Sequence, residues 1–220
     1  MKPLLLAFDT THEFGSLALA RGENLLEEVR LEAPDGFAHV VFAHLAQLLE
    51  RHGLRPDDID CFASASGPGS FTGVRIGLAC VKGLAEACGK PAVAVSNLQA
   101  LASYGSAPWR AAVLDARRGD IYGAVYDSAG EVVAPETVAK FSAWLETLPD
   151  TGFEFVSQEC ALPLAGTRFE RVGSVRAPRA LAASIARIAC VRFLRGEASD
   201  PASLDANYVR RSDAELFWKE

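Results

Sequence analysis

Ser66-Gly67-Pro68-Gly69-Ser70-Phe71-Thr72-Gly73-Val74-Arg75-Ile76-Gly77-Leu78 decides how the rest of the chain is read. The apolar run Cys61–Ala65 before it predicts a buried strand, and a helix follows to about Cys88, where Gly89 supplies the stop. Two readings stand for the turn between them. Glycines let backbone N–H groups approach a phosphate and a helix N-terminus favours the anion; equally, this is a tight strand-to-helix turn that binds nothing. The helix carries a second signal. Val74, Leu78, Val81, Ala85 and Cys88 fall on one buried face, and Gly73, Gly77, Cys80, Leu84 and Ala87 form a small-residue stripe beside it. Gly77 and Gly83 each cost roughly 1 kcal/mol relative to Ala inside a helix. The expectation is that the stripe receives a second helix, from this chain or from another.

The chain has 220 residues, half of them hydrophobic, and a net charge of −6. That suffices for two modest cores and argues against nucleic-acid binding through the bulk field. The charge is uneven: residues 168–195 hold seven arginines and a single acid, Glu170. A solvated face is the first reading of that run, an anionic partner the second. Five cysteines without a CxxC pair read as buried thiols of a reducing compartment. No signal peptide and no run near the ~20 residues of a membrane span is visible. A cytoplasmic protein is expected.

In chain order, apolar strands are predicted at Pro3–Phe8, Ser16–Ala20 and about Leu25–Leu31. A helix over Ala38–His52, the Cys61–Ala65 strand, the helix already described, a strand at Ala92–Val95 and a short helix to about Tyr104 complete a βββαβαβα pattern. The pattern then restarts. A strand at Ala111–Leu114 again ends in an aspartate, Asp115, and strands at Asp120–Tyr126 and Glu131–Ala134 follow. Next come a helix at Phe141–Leu148, strands at Phe153–Val156 and Arg168–Val172, and a helix opened by Pro178. The expectation is an α/β chain with an internal duplication: lobes 1–106 and 107–220, a cleft between them, the second lobe reduced.

Duplicated lobes that each carry an aspartate-bearing hairpin follow the pattern of the actin, sugar-kinase and heat-shock-chaperone ATPases. There the hairpins grip nucleotide phosphates. The matching positions here are Asp9-Thr10-Thr11 and Asp115-Ala116-Arg117, with Gly67, Gly69 and Ser70 in the Gly-rich turn. Bulky His12, Glu13 and Phe14 in the first loop and two arginines in the second predict a degraded grip.

Four stretches carry a closer resemblance: LLLAFDTTHEFGSLAL (4–19), SGPGSFTGVRIGLACVKGLA (66–85), VSNLQALA (95–102) and VLDARRGDIYGAVY (113–126). Together with Asn207-Tyr208-Val209-Arg210-Arg211 near the C-terminus, they resemble the bacterial TsaB (YeaZ) family. The resemblance implies a non-catalytic scaffold, without a cofactor, that acts with the catalytic subunit TsaD and the ATPase TsaE. The complex places a threonylcarbamoyl group on the adenosine beside the tRNA anticodon. It implies pairing with TsaD through helices, or with a second copy when TsaD is absent, with tRNA met only within the complex and no membrane. Val74, Gly77, Leu78, Cys80, Val81 and Leu84 are then the interface candidates. Leu78→Glu or Gly77→Leu is expected to leave the fold intact and abolish pairing.

Two other activities have requirements that can be read in the residues. TsaD-like proteins hold metal with His-x-x-x-His on one helix face, whereas His39 and His44 stand about 140° apart on a helix. His12 and His52 complete the histidines, and no metal is expected. No nucleophile has a legible partner, so the older glycoprotease description finds no support. An ATP-dependent small-molecule kinase of the actin-like class is the alternative reading; it needs an open phosphate site and a Gly-rich adenine pocket.

Overall fold

The computed structural model describes residues 2–33, 36–159 and 162–210. Cys160 and Arg211 therefore lie outside the described residues. The chain forms two compact units, Met1–Asn97 with Ala180–Asn207, and Leu98–Arg179 with the chain from Tyr208 on.

The first unit is built on a five-stranded sheet. Strands β1 (Leu4–Asp9), β2 (Phe14–Arg21) and β3 (Asn24–Glu32) form the expected antiparallel meander, and β4 (Cys61–Ala65) and β5 (Ala92–Val95) add in parallel. The order is β3-β2-β1-β4-β5. Alternation sorts the central strands into two kinds of face. Leu4, Leu6, Phe8, Leu17, Leu19 and Phe62 enter one core with Val41, Leu45 and Leu48 of α1 (Val41–Arg51) and Val74, Leu78 and Val81 of α2 (Phe71–Cys88). Fully burying a side chain of this size is worth roughly 1.5–3 kcal/mol, so this face carries most of the unit's stability. The opposite face is small: Ala7, Ala18, Ala20 and Ala63 are all fully buried. Helix α5 (Ala182–Leu194) packs on β1, β2, β4 and β5 and contributes the equally small Ala182, Ala186 and Ala189 with Ile185.

The second unit repeats the order. Strands β6 (Trp109–Asp115), β7 (Asp120–Asp127), β8 (Val132–Lys140), β9 (Phe153–Ser157) and β10 (Ser174–Arg176) are arranged β10-β9-β6-β7-β8. Central strand, antiparallel neighbours and parallel neighbours correspond one to one with the first sheet, so the expected internal duplication is present. The reduction is visible between the fourth and fifth strands. Where the first unit has the 18 residues of α2, the described residues of 158–173 form only turns. An aromatic cluster fills this core: Phe153 meets Phe155 and Phe169 edge-on at 5.1 and 5.4 Å. Trp144 of α4 (Phe141–Leu145) sits where any side chain on Gly123 of β7 would collide with it.

Three expectations need correction. Residues 168–172 turn instead of forming a strand, because Arg168 reaches back to cap α4, donating to the Leu145 and Leu148 carbonyls at 3.1 and 3.0 Å. Pro178 does not open a helix. The Pro178 and Arg179 carbonyls accept from the Gln158 amide, and α5 starts at Ala182, where Ser16 Oγ accepts from Ala182 N and Glu28 Oε1 from Ala183 N. Those two side chains satisfy orphan amides and place a carboxylate at the positive end of the helix dipole. Finally, the units do not follow the 1–106 and 107–220 division. Helix α5 belongs with the first unit, and α3 (Asn97–Ala102) belongs, but for its first residue, with the second.

The cysteines give a direct check on this packing. Cys61 is fully buried and its thiol is pushed up to about 12 by burial first and by neighbouring Cys190 second; burial also raises Cys190. Cys88, near the end of α2, is partly exposed. In native protein at pH 8, iodoacetamide should therefore modify Cys88 well before Cys61 or Cys190, read by peptide mass spectrometry. Equal labelling of all three would contradict the packing of α5 on β4.

Candidate functional site

The end of β1 and the Gly-rich turn close on each other through a chain of buried polar contacts. Asp9 Oδ1 accepts from Thr11 N at 3.0 Å and from Thr11 Oγ1 at 2.6 Å. Thr11 Oγ1 in turn accepts from Asn97 Nδ2 at 2.6 Å, and Asn97 Oδ1 accepts from Gly67 N at 3.0 Å. The backbones join as well: Ser70 N donates to Thr11 O at 2.7 Å and Asn97 N to Gly67 O at 2.8 Å. Thr10 Oγ1 donates to Gly73 O at 2.7 Å, and Ser70 Oγ, the N-cap of α2, accepts from Gly73 N at 3.3 Å. The glycines are there for this approach. A Cβ on Gly69 would stand 2.6 Å from Thr11 O, and one on Gly73 would overlap the Thr10 carbonyl.

Between the two readings of the turn, these contacts favour the closed one. The amides of Gly67, Ser70 and Gly73, which a phosphate cradle would aim outward, are each engaged by Asn97, Thr11 or Ser70. Asp9, Thr10 and Thr11 are buried, and the second carboxylate oxygen of Asp9 is enclosed without a hydrogen-bond partner. Asp115 differs: it is exposed, and its Oδ1 accepts from Arg117 N at 2.8 Å. Arg117 and Arg118 then hold φ of 64° and 57°, a left-handed conformation that costs a non-glycine residue about 1–2 kcal/mol each. Lys140 and Arg210 clamp this hairpin. Lys140 donates to Arg118 O and pairs with Asp120; Arg210 donates to Ala116 O and pairs with Asp120 from the other side. The Lys140 ammonium, and then Arg210, hold the Asp120 carboxyl below the usual carboxylate range.

The interface expected on α2 is corrected by the same geometry. A Cβ on Gly77 would meet Thr10 Oγ1 at 2.8 Å and Ser64 Oγ at 2.9 Å, so this notch already holds the chain's own turn and strand. Val74, Leu78, Cys80 and Val81 are buried in the first core, and only Leu84 of the six candidates is half-exposed. The face that does look outward is one step round the helix: Phe71, Thr72, Arg75, Ala79, Gly83 and Ala87 are exposed. Among the described residues nothing stands within 4 Å of a Cβ built on Gly83, and the Arg75 guanidinium lies 3.7 Å over the Phe71 ring. The sequence holds the signal in Ala79-x-x-x-Gly83-x-x-x-Ala87, a row of small residues at helical spacing beside Gly73 and Gly77.

The remaining candidates disperse. His39 sits in a 3₁₀ turn, His44 on α1, and His52 bonds Glu27 at 2.9 Å beside Arg51. Among the described residues no three His, Cys, Asp or Glu side chains converge as metal ligands. The arginine run splits: Arg168, Arg171, Arg176 and Arg179 fall in the second unit, and Arg187, Arg192 and Arg195 in the first. Arg168 stacks on Phe169 and pairs with Asp150, and Arg192 donates to Ala94 O, so two of the seven serve the folds themselves. The closed turn makes its own prediction. Asn97→Ala strands Gly67 N and should cost about 1–3 kcal/mol in urea unfolding. Gly73→Ala should cost more, because backbone must move.

A family model described as TsaD: tRNA N6-adenosine threonylcarbamoyltransferase matches residues 33–192. A tRNA threonylcarbamoyladenosine biosynthesis protein TsaB from Bacillus subtilis (strain 168) is 29% identical over 98% of this chain and 98% of its own length. The TsaB of Escherichia coli (strain K12) is 34% identical over 56% of this chain and 54% of its own. YeaZ from Pseudomonas aeruginosa superposes with a TM-score of 0.76 at 25% identity, covering 94% of this chain and 99% of that one. Family model, full-length relative and superposed fold agree: the chain belongs to the TsaB (YeaZ) branch of the tRNA N6-adenosine threonylcarbamoyltransferase family.

Proposed function

We propose that this chain is the non-catalytic partner of a TsaD-type transferase in tRNA threonylcarbamoyladenosine synthesis, and that it works by presenting the outer face of α2. One observation carries this reading. The turn that would serve a nucleotide is filled from inside by Thr10, Thr11 and Asn97, while the opposite side of the same helix is bare, small and flanked by an aromatic ring. Small residues let a second helix approach closely, and Phe71 with Arg75 stacked on it supplies the kind of anchor that dominates interfaces. The names of the relatives place the chemistry on tRNA, and the family model is that of the transferase. A homodimer through the same face when the transferase is absent, an ATPase of the TsaE type as third member, and a cytoplasmic setting complete the proposal. No helix among the described residues is long and apolar enough to cross a membrane.

The kinase alternative is not favoured. It requires an Asp9 that reaches metal-bound phosphate, and Asp9 is fully buried. Calorimetry of the isolated chain with ATP and Mg²⁺ should give neither tight binding nor turnover. Either result would restore the kinase reading.

Pairing is tested on α2. Ala79→Glu with Gly83→Glu should leave the melting temperature unchanged or raise it, since glutamate is the better helix former at position 83. The same variant should lose co-elution with a TsaD-type subunit in size-exclusion chromatography with light scattering. Leu78→Glu should instead unfold the protein, because Leu78 is 6% exposed and an unpaired charge would enter the core. A folded, paired Ala79→Glu/Gly83→Glu variant would remove the face from the proposal.

A further inference from the structure

We infer that residues 201–210 form a strap that braces α2, and that Arg210 is the positioning residue that holds this strap in place. The bracing is read from the contacts alone; its consequence for docking rests on the proposed function.

Beyond the 3₁₀ turn Pro201–Ser203, residues 204–210 form neither helix nor strand. A segment without a hydrogen-bond ladder keeps its place through individual contacts. Three of these lie in the first unit. Lys82 of α2 donates from Nζ to Ala202 O at 3.2 Å. Leu204 is buried in the first core. Asn207 N donates to Ser66 O at 2.8 Å, at the start of the Gly-rich turn. Gly67 is bare where the strap passes: a Cβ there would stand 3.1 Å from Asn207 O. The strap therefore meets both α2 itself and the turn that leads into it.

Asn207 is the last residue of the first unit, and Arg210 is fixed within the second. Its Nη1 donates to Ala116 O at 2.9 Å and its Nη2 to Asp120 Oδ2 at 2.5 Å. A planar guanidinium serves two separate acceptors at once, which the point charge of a lysine does poorly. The side chains of Arg210 and Asp120 are 24% and 26% exposed, so the pair is shielded from solvent. Lys140, on the same carboxylate, is 61% exposed and belongs to β8. Both cations hold the hairpin, but only Arg210 holds the strap. Freeing Arg210 is felt next at the Asn207–Ser66 bond, three residues back along the chain. Ser66 opens the turn that ends in Ser70, the N-cap of α2. The docking face is thus kept in place by a residue that is no part of it.

The test is amide hydrogen exchange by NMR on the full chain, in wild type and in Arg210→Ala, Arg210→Lys and Lys140→Ala variants. Arg210→Ala should speed exchange at the Asn207 and Gly67 amides about tenfold, the factor that one charge-assisted hydrogen bond supports. Amides of β1 and β2 should keep their wild-type rates. Arg210→Lys retains the charge without the fork and should fall between; it carries the test if the alanine variant does not fold. Lys140→Ala should leave Asn207 as in wild type. Unchanged exchange at Asn207 in both Arg210 variants overturns the strap. So does a Lys140→Ala variant that loosens Asn207 as much as Arg210→Ala does. Pairing with a TsaD-type subunit is titrated in parallel, where Arg210→Ala should weaken it about tenfold. Wild type that does not pair sinks the functional reading and leaves the strap to the exchange data. Wild-type pairing by a variant whose strap has loosened removes the positioning role.

Discussion

A threonine hydroxyl bonded to a glycine carbonyl, Thr10 Oγ1 to Gly73 O at 2.7 Å, is the contact on which the first unit's arrangement turns. It forms only because position 73 has no side chain to keep the turn and the helix apart. The gain of one such bond is modest, about 0.5–1.5 kcal/mol net. Its importance is geometric. It fixes the rotation of α2 about its own axis, and that rotation decides which of the helix's two small stripes faces the sheet. Gly73 and Gly77 go in against Thr10 and Ser64; Ala79, Gly83 and Ala87 go out.

The buried network behind that contact is satisfied nearly throughout. Asp9, Thr11, Asn97 and Gly67 hand hydrogen bonds along in sequence, from a strand end through a helix start to a loop. Buried polar groups are costly when unpaired, so each link makes the removal of its neighbour more damaging. The enclosed second oxygen of Asp9 is the exception. It lies at the register pair of Ser16, whose hydroxyl caps α5, so the positive end of a 13-residue helix approaches the same strand pair. The other oxygen of the Asp9 carboxylate ties the turn down through Thr11.

Much of this was legible in the chain. The restart of the strand–aspartate–turn–strand pattern at Ala111 gave the duplication, and the observed sheets have the same strand order. The GPGSFTG block gave the family. What was not legible has one physical cause: the deciding contacts are far apart in sequence. Gly77 reads as an open notch until Thr10 and Ser64 are known to fill it. Pro178 reads as a helix start until Gln158 takes its carbonyl and Ser16 and Glu28 cap the helix four residues later. Helix α5 belongs with the first unit across more than 150 residues, which no local pattern records. The arginine run between 168 and 195 is continuous in sequence, yet its members divide between the two units.

Filling the Gly-rich turn from within and turning a small-residue face outward are then one structural event. If α2 is rolled so that its glycines reach the Asp9–Thr11 turn, the amides of the Gly-rich loop bond inward, and no phosphate competes for them at comparable geometry. The same roll exposes the second stripe, where among the described residues nothing comes within 4 Å of the Cβ position of Gly83. A glycine in an exposed helix costs about 1 kcal/mol, and the closed turn gives no return on it. The duplication supplies the contrast: among the described residues the second unit has no counterpart of α2, and its aspartate hairpin is exposed and clamped by Lys140 and Arg210. One hairpin is held under a helix, and the other is held by ion pairs.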